Sequence, residues 1–166
     1  MKKTMLLLPL AFLFFGCDAQ TSTTKTIATS RVEQCSEGEY AYSLPVDIEK
    51  YTHAMALFSQ EGGVNPYSTT QFKQTCHSLP QVEDKLAYIA EQSAQATLPY
   101  PEAGKVLYFK QVDDTVYVVL EAQEDGWAGV SAAMAAAEPV ITRNIQLNSS
   151  MKHVMFSYAP GDEKQS

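Results

Sequence analysis

Residues 105–122 read KVLYFKQVDDTVYVVLEA. Two runs rich in β-branched and aromatic residues, Lys105 to Val112 and Thr115 to Ala122, flank Asp113-Asp114. Such runs suit a pleated, half-buried surface, and the aspartate pair suits a tight two-residue connection. The stretch predicts a β-hairpin.

Upstream of it the apolar period changes. Glu39 to Val46 (EYAYSLPV) places Tyr40, Tyr42 and Leu44 at every second position, a short strand with Pro45 near its end. Asp47 reads as a helix cap. Ile48, Tyr51, Met55 and Phe58 then recur at spacings of three and four, one face of a helix that Glu61-Gly62-Gly63 stops. Val64 to Thr75 reads as loop, with Asn65-Pro66 as a turn signal. Ser78 and Gln81 stand at capping-box spacing with Pro80 between them. Leu79, Val82, Leu86 and Ile89 therefore predict a second helix to about Ala96, broken by Leu98-Pro99-Tyr100-Pro101.

Downstream, Gly126-Trp127-Ala128-Gly129 is a flexible connection, and Ser131 opens an alanine run, Ala132 to Ala137. Alanine has the highest helix propensity. Pro139 either kinks that helix or starts a new one, and Val140, Ile141, Ile145 and Leu147 supply the apolar face beyond it. Asn148-Ser149-Ser150 ends it, and His153 to Tyr158 (HVMFSY) reads as a last strand. The expected order is β-α-α-β-β-α-β. That is an α/β sandwich with a small mixed sheet and helices on one face.

The amino terminus carries an address. Lys2 and Lys3 precede Met5 to Phe15, eleven uncharged residues that are mostly Leu and Phe. A membrane-crossing helix needs about 20 apolar residues, so this stretch reads as a secretory signal. Phe14-Phe15-Gly16-Cys17 resembles the lipobox of bacterial lipoproteins, which makes residues 1–16 the signal and Cys17 the lipidated residue. Cys17-Asp18-Ala19 competes as an ordinary cleavage site that would release a soluble periplasmic protein from Gln20. Residues 17–30 are rich in Ser and Thr and poor in bulky apolar residues, a tether that cannot offset its chain entropy by burial. A single domain is expected over 31–160, with 161–166 as a polar tail.

Three cysteines minus Cys17 leave Cys35 and Cys76, an even pair in an oxidising compartment. A disulfide is the expected state; the rival is a nucleophilic Cys76 assisted by the adjacent His77. Loss of Lys2 and Lys3 with the signal takes the 12 basic residues to 10 against 19 acidic ones, a net charge of −9. That argues against nucleic acid as a partner and against electrostatic adhesion to anionic lipid. The expected membrane contact is the lipid on Cys17.

The carboxyl half carries a further pattern. Leu98-Pro99 leads through Gly104-Lys105-Val106 to Val112-Asp113-Asp114-Thr115-Val116-Tyr117-Val118-Val119-Leu120. Gly129-Val130-Ser131 precedes the helix, and Met151-Lys152-His153-Val154-Met155-Phe156 precedes Pro160-Gly161-Asp162. This stretch, Thr97 to Asp162, resembles the GerMN domain, a module of extracytoplasmic bacterial proteins named from a spore-germination lipoprotein. The resemblance implies a non-enzymatic binding or assembly module at the cell envelope, and it fixes no binding residue. Tyr40 to Cys76 has no counterpart in it.

No catalytic grouping is legible. His53, His77 and His153 are the only histidines, far apart and outside any metal-ligand spacing. Ser68, Ser131 and Ser149 lack the G-x-S-x-G context. Glu121, Glu124 and Asp125 read as a solvated strand end, with calcium ligation or acid–base work as the rival reading. No glycine loop suited to phosphates is present, so no cofactor is expected. Trp127, flanked by glycines, is the one aromatic with a case for exposure, where it would stack on a sugar or anchor a protein; core packing is the competing reading. Two function classes follow: an envelope lipoprotein that binds a protein or cell-wall component, or a small periplasmic enzyme whose residues converge only in the fold.

Overall fold

The hairpin forms as its sequence predicts. β3 (Val106–Val112) pairs antiparallel with β4 (Thr115–Leu120), and Asp113 takes the left-handed φ of 53° that the turn requires. The structure is a computed structural model and describes residues 35–162; the signal, Cys17 and the Ser/Thr-rich tether lie outside the described residues. The remaining elements, in chain order, are β1 (Glu39–Pro45), α1 (Ile48–Glu61), β2 (Phe72–Ser78), α2 (Lys85–Thr97), α3 (Glu121–Asp125), α4 (Val130–Leu147) and β5 (His153–Met155). Short 3₁₀ turns at Pro66–Thr69 and Pro101–Gly104 join them. The fold class is α/β.

The strands form two small sheets. β1 and β2 make an antiparallel pair, and β3-β4-β5 make a mixed sheet in which β4 and β5 run parallel. Parallel neighbours need a crossover, and α3 with α4 supplies it. Val116, Val118 and Leu120 of β4 pack fully buried against Ala137, Ile141 and Ile145 of α4, with Ala90 and Ala94 of α2 closing the core. A second cluster joins Tyr40 and Tyr42 of β1 to Leu86 and Ile89 of α2; a third joins Tyr51 and Met55 of α1 to Ala136 and Val140 of α4. The central helix is α4.

The structure corrects the sequence reading in four places. Residues 72–78, expected as loop and helix cap, form β2. Its side chains are mostly polar and exposed, so period-2 burial never appears in the sequence; pairing with β1 and the disulfide hold it. Ser78 pairs with Glu39 instead of capping, and Asp84 caps α2 by accepting from Leu86 and Ala87 N–H. The helix therefore starts at Lys85, not near Leu79. Glu121 to Asp125, expected as a strand end, form the single turn of α3.

Pro139 starts no new helix: α4 runs continuously through it. A proline there deprives the Ala135 carbonyl of its helical donor, at a cost of about 3 kcal/mol. Ala136, Ala137, Val140 and Ile141 around it are essentially unexposed, and the Tyr51 hydroxyl donates to the Ala136 carbonyl at 2.9 Å. Packing on both sides offsets the lost bond.

Two asparagines one turn apart on α4 complete β1. Asn144 accepts from Ser43 N–H at 2.7 Å and donates to Ser43 O at 3.2 Å. Asn148 accepts from Ala41 N–H at 2.9 Å and donates to Ala41 O at 2.7 Å. Side-chain amides thus stand in for a neighbouring strand on the edge of β1 that faces away from β2. Their sequence context, read as a helix end, gave no sign of it.

Candidate functional site

Cys35 and Cys76 form a disulfide, with Cα atoms 5.5 Å apart across 41 residues of sequence. Cys76 is therefore no nucleophile in this state, and its neighbour is occupied otherwise. The His77 ring packs against Tyr40 and Tyr42, with centroids 5.7 and 5.2 Å away, and its Nε2 lies 2.9 Å from Thr75 Oγ1. Burial, reinforced by Tyr88, pushes the Tyr40 phenol up to about 12, and burial raises Tyr42 as well. Both stay protonated, which suits packing and gives no acid or base near neutral pH.

The other polar candidates are dispersed. His53 lies on α1 and His153 on β5, both exposed, and no group of three metal-binding side chains occurs among the described residues. Ser68 and Ser149 donate to backbone carbonyls of their own turns, Asn65 at 2.7 Å and Ile145 at 2.7 Å. Ser131 sits in the first turn of α4. Glu124 accepts from the Tyr158 hydroxyl at 3.4 Å. These contacts tie the chain together locally.

Asp162, expected in the polar tail that starts at residue 161, is instead tied to β3. Asp162 accepts from Tyr108 Oη and Lys110 Nζ, both at 2.6 Å. The Lys110 ammonium, then the Tyr108 hydroxyl, hold the Asp162 carboxyl below the usual carboxylate range. Next to it the Tyr158 ring packs on Tyr108, centroids 4.8 Å apart, and Ala159 is buried.

The structure brings Trp127 to a site. A groove of about 560 Å³ opens between α1, the end of α2 and the start of α4. Its floor is the alanine run, Ala132, Ala133 and Ala136; one wall is Thr52, His53, Ala56 and Gln60 of α1. Tyr100 and Trp127 close the other side, edge to face, with centroids 5.5 Å apart and planes at 81°. Each is set by local backbone. Tyr100 heads the 3₁₀ turn, its carbonyl accepting from Ala103 N–H. Trp127 O accepts from Val130 N–H, and Gly129, at φ 94°, turns the chain into α4 through a conformation disfavoured for other residues.

Trp127 is half-buried: it packs against the main core and also lines the groove. Tyr100 retains 51% of its exposure. In the sequence Tyr100 reads only as part of a helix break, and the one mark that Thr52 and Gln60 carry is their four-residue spacing with Ala56 along α1. A second cleft of about 460 Å³ lies at the start of α1, lined by Asp47, Lys50, Thr69 and Gln71. Its carboxylate is committed to the helix cap, accepting from Lys50 N–H at 3.0 Å.

No protein-family model, no curated protein and no solved structure matches the chain. No helix among the described residues is long and apolar enough to cross a membrane. The groove's own chemistry is what remains to be read: an aromatic corner, a floor of methyl groups and neutral polar side chains.

Proposed function

We propose that the chain is a cell-envelope lipoprotein, anchored through Cys17, whose domain is a non-catalytic binding or assembly module for a protein or cell-wall component. The observation that carries the binding reading is the groove lined by Tyr100 and Trp127. Pockets of about 300–1,000 Å³ lined by apolar and aromatic groups with a few polar ones are the usual form of a binding site. The Cys35–Cys76 disulfide supports an oxidising compartment, in keeping with the signal at residues 5–15. The likeness of residues 97–162 to the GerMN domain belongs to the same proposal. The hairpin, α4 and β5 follow one another in the order that resemblance implies.

Two experiments test it. Labelled palmitate should enter the wild-type chain and not Cys17→Ser; equal labelling of both removes the anchor. For the groove, a photoreactive phenylalanine replaces Tyr100 in living cells, with Val112 at the hairpin end as the control position. A light-dependent adduct at position 100, absent at 112, is the expected result. Equal adducts at both positions, or turnover of an ester or peptide library by the purified protein, would overturn the non-catalytic binding reading.

A further inference from the structure

The chemistry of the groove narrows what it holds. Of its lining residues none is Asp, Glu, Lys or Arg, although the chain without its signal carries a net charge of −9. A charged ligand would meet no carboxylate, ammonium or guanidinium partner in this lining. The ligand's contacting part is therefore uncharged. The groove is walled by α1, the end of α2, the start of α4 and the segments around Pro99 and Ala128, none of them a strand, so it presents no sheet edge to an extended peptide.

What the groove does offer is two kinds of contact side by side. The faces and edges of Tyr100 and Trp127 suit the C–H face of a flat, partly apolar ring. The half-buried methyl groups of Ala132 and Ala133 form a floor that accepts a small apolar substituent, with Ala136 adding almost no open surface. Opposite them stand His53 and Gln60, whose side chains have no partner among the described residues, and Thr52. Thr52 and Gln60 lie two helical turns apart, about 12 Å at 1.5 Å per residue, so the polar wall exceeds the length of one ring.

Resting on the proposed binding function, we infer that the groove binds a short oligomer of uncharged N-acetyl amino sugars. The pyranose rings lie against Tyr100 and Trp127, the acetamido methyl group meets the alanine floor, and hydroxyl and amide groups bond to Gln60, His53 and Thr52. A sugar chain has this combination of an apolar ring face, a methyl substituent and neutral donors and acceptors.

The chain's single tryptophan lies in the groove, so its fluorescence reports on this site alone. Full-length protein in detergent is titrated with the N-acetylglucosamine tetramer, by Trp127 emission and by calorimetry. A saturable change is expected, with a Kd below about 1 mM. Tyr100→Ala and Gln60→Ala should each weaken binding by about tenfold or more, with Val112→Ala unchanged. Circular dichroism confirms that each variant is folded. The de-acetylated, cationic tetramer should bind at least about tenfold more weakly, because it loses the methyl contact and gains unpaired charge. No saturable response to the acetylated tetramer, or equal affinity for the cationic one, overturns the inference. If the tetramer is silent while the position-100 crosslinker captures a protein in cells, the saccharide class falls and the binding module stands. If both are silent, both fall.

Discussion

Replacing Asn144 by leucine tests what the amide ladder on β1 contributes. Asn144 is fully buried and makes three side-chain hydrogen bonds, two to the Ser43 backbone and one to Ser93 Oγ at 2.9 Å. Ser93 keeps its own bond to Ile89 O at 2.7 Å, so its hydroxyl is not stranded. The Ser43 N–H and C=O are stranded: they point away from β2 into the core, and no water reaches them. Each orphaned buried group costs about 1–3 kcal/mol, which places Asn144→Leu near 4 kcal/mol. Leucine keeps the branched framework of asparagine but has bulkier methyl ends, so overpacking adds to the cost of the lost bonds. Against a total stability of about 5–15 kcal/mol, that is a large fraction. Asn148 makes the same two bonds to Ala41 in a part-buried position, where water can replace them. Asn148→Ala should therefore cost only about 1–2 kcal/mol. Urea unfolding of both variants, followed by circular dichroism, provides the comparison. A loss under about 1 kcal/mol for Asn144→Leu, or equal losses for the two variants, would refute the ladder as an energetic feature.

Three further predictions rest on separate contacts. Replacing both Cys35 and Cys76 by serine opens a loop of 41 residues and should lower stability by about 4 kcal/mol on the chain-entropy relation, read as a fall in urea midpoint that a reductant reproduces in the wild type. A Cβ at Gly104 would lie 2.6 Å from Gln95 N and 2.9 Å from the Ala94 carbonyl carbon, both backbone atoms of α2; Gly104→Ala should cost about 1–3 kcal/mol, and a neutral result in thermal unfolding would contradict that close approach. Burial raises the Glu138 carboxyl above its ordinary range, so the folded state prefers the proton and stability is gained as pH falls through that raised value. Glu138→Gln should be more stable than wild type at neutral pH, with the difference gone below the unfolded carboxyl value; thermal scans across pH that show a constant difference would count against this.

Much of the fold was legible because it is written in neighbouring residues. The alternation in residues 105–122 and the Asp113-Asp114 pair specify the hairpin. Asp47 capped α1 as its position implied, accepting from Lys50 N–H. The groove was only half legible. Trp127 stood out for its glycine neighbours, but nothing near it pointed to Tyr100, and nothing in α1 marked Thr52 or Gln60 as the facing wall. β2 was invisible for a related reason: FKQTCHS has no buried face of its own, and only its partner strand makes it a strand.

By itself the sequence determined the α/β class, the apolar stripe of α1, the hairpin and the cysteine pair, since spacing, turn chemistry and the parity of cysteines after an export signal need no knowledge of the fold. The tertiary structure alone decided that Pro139 lies inside a helix, that Asn144 and Asn148 act as a strand for β1, and that Tyr100 meets Trp127 above the alanine run. Each of those depends on groups distant in the chain that compete for the same space and the same hydrogen bonds, and local preference carries no record of which competitor prevails.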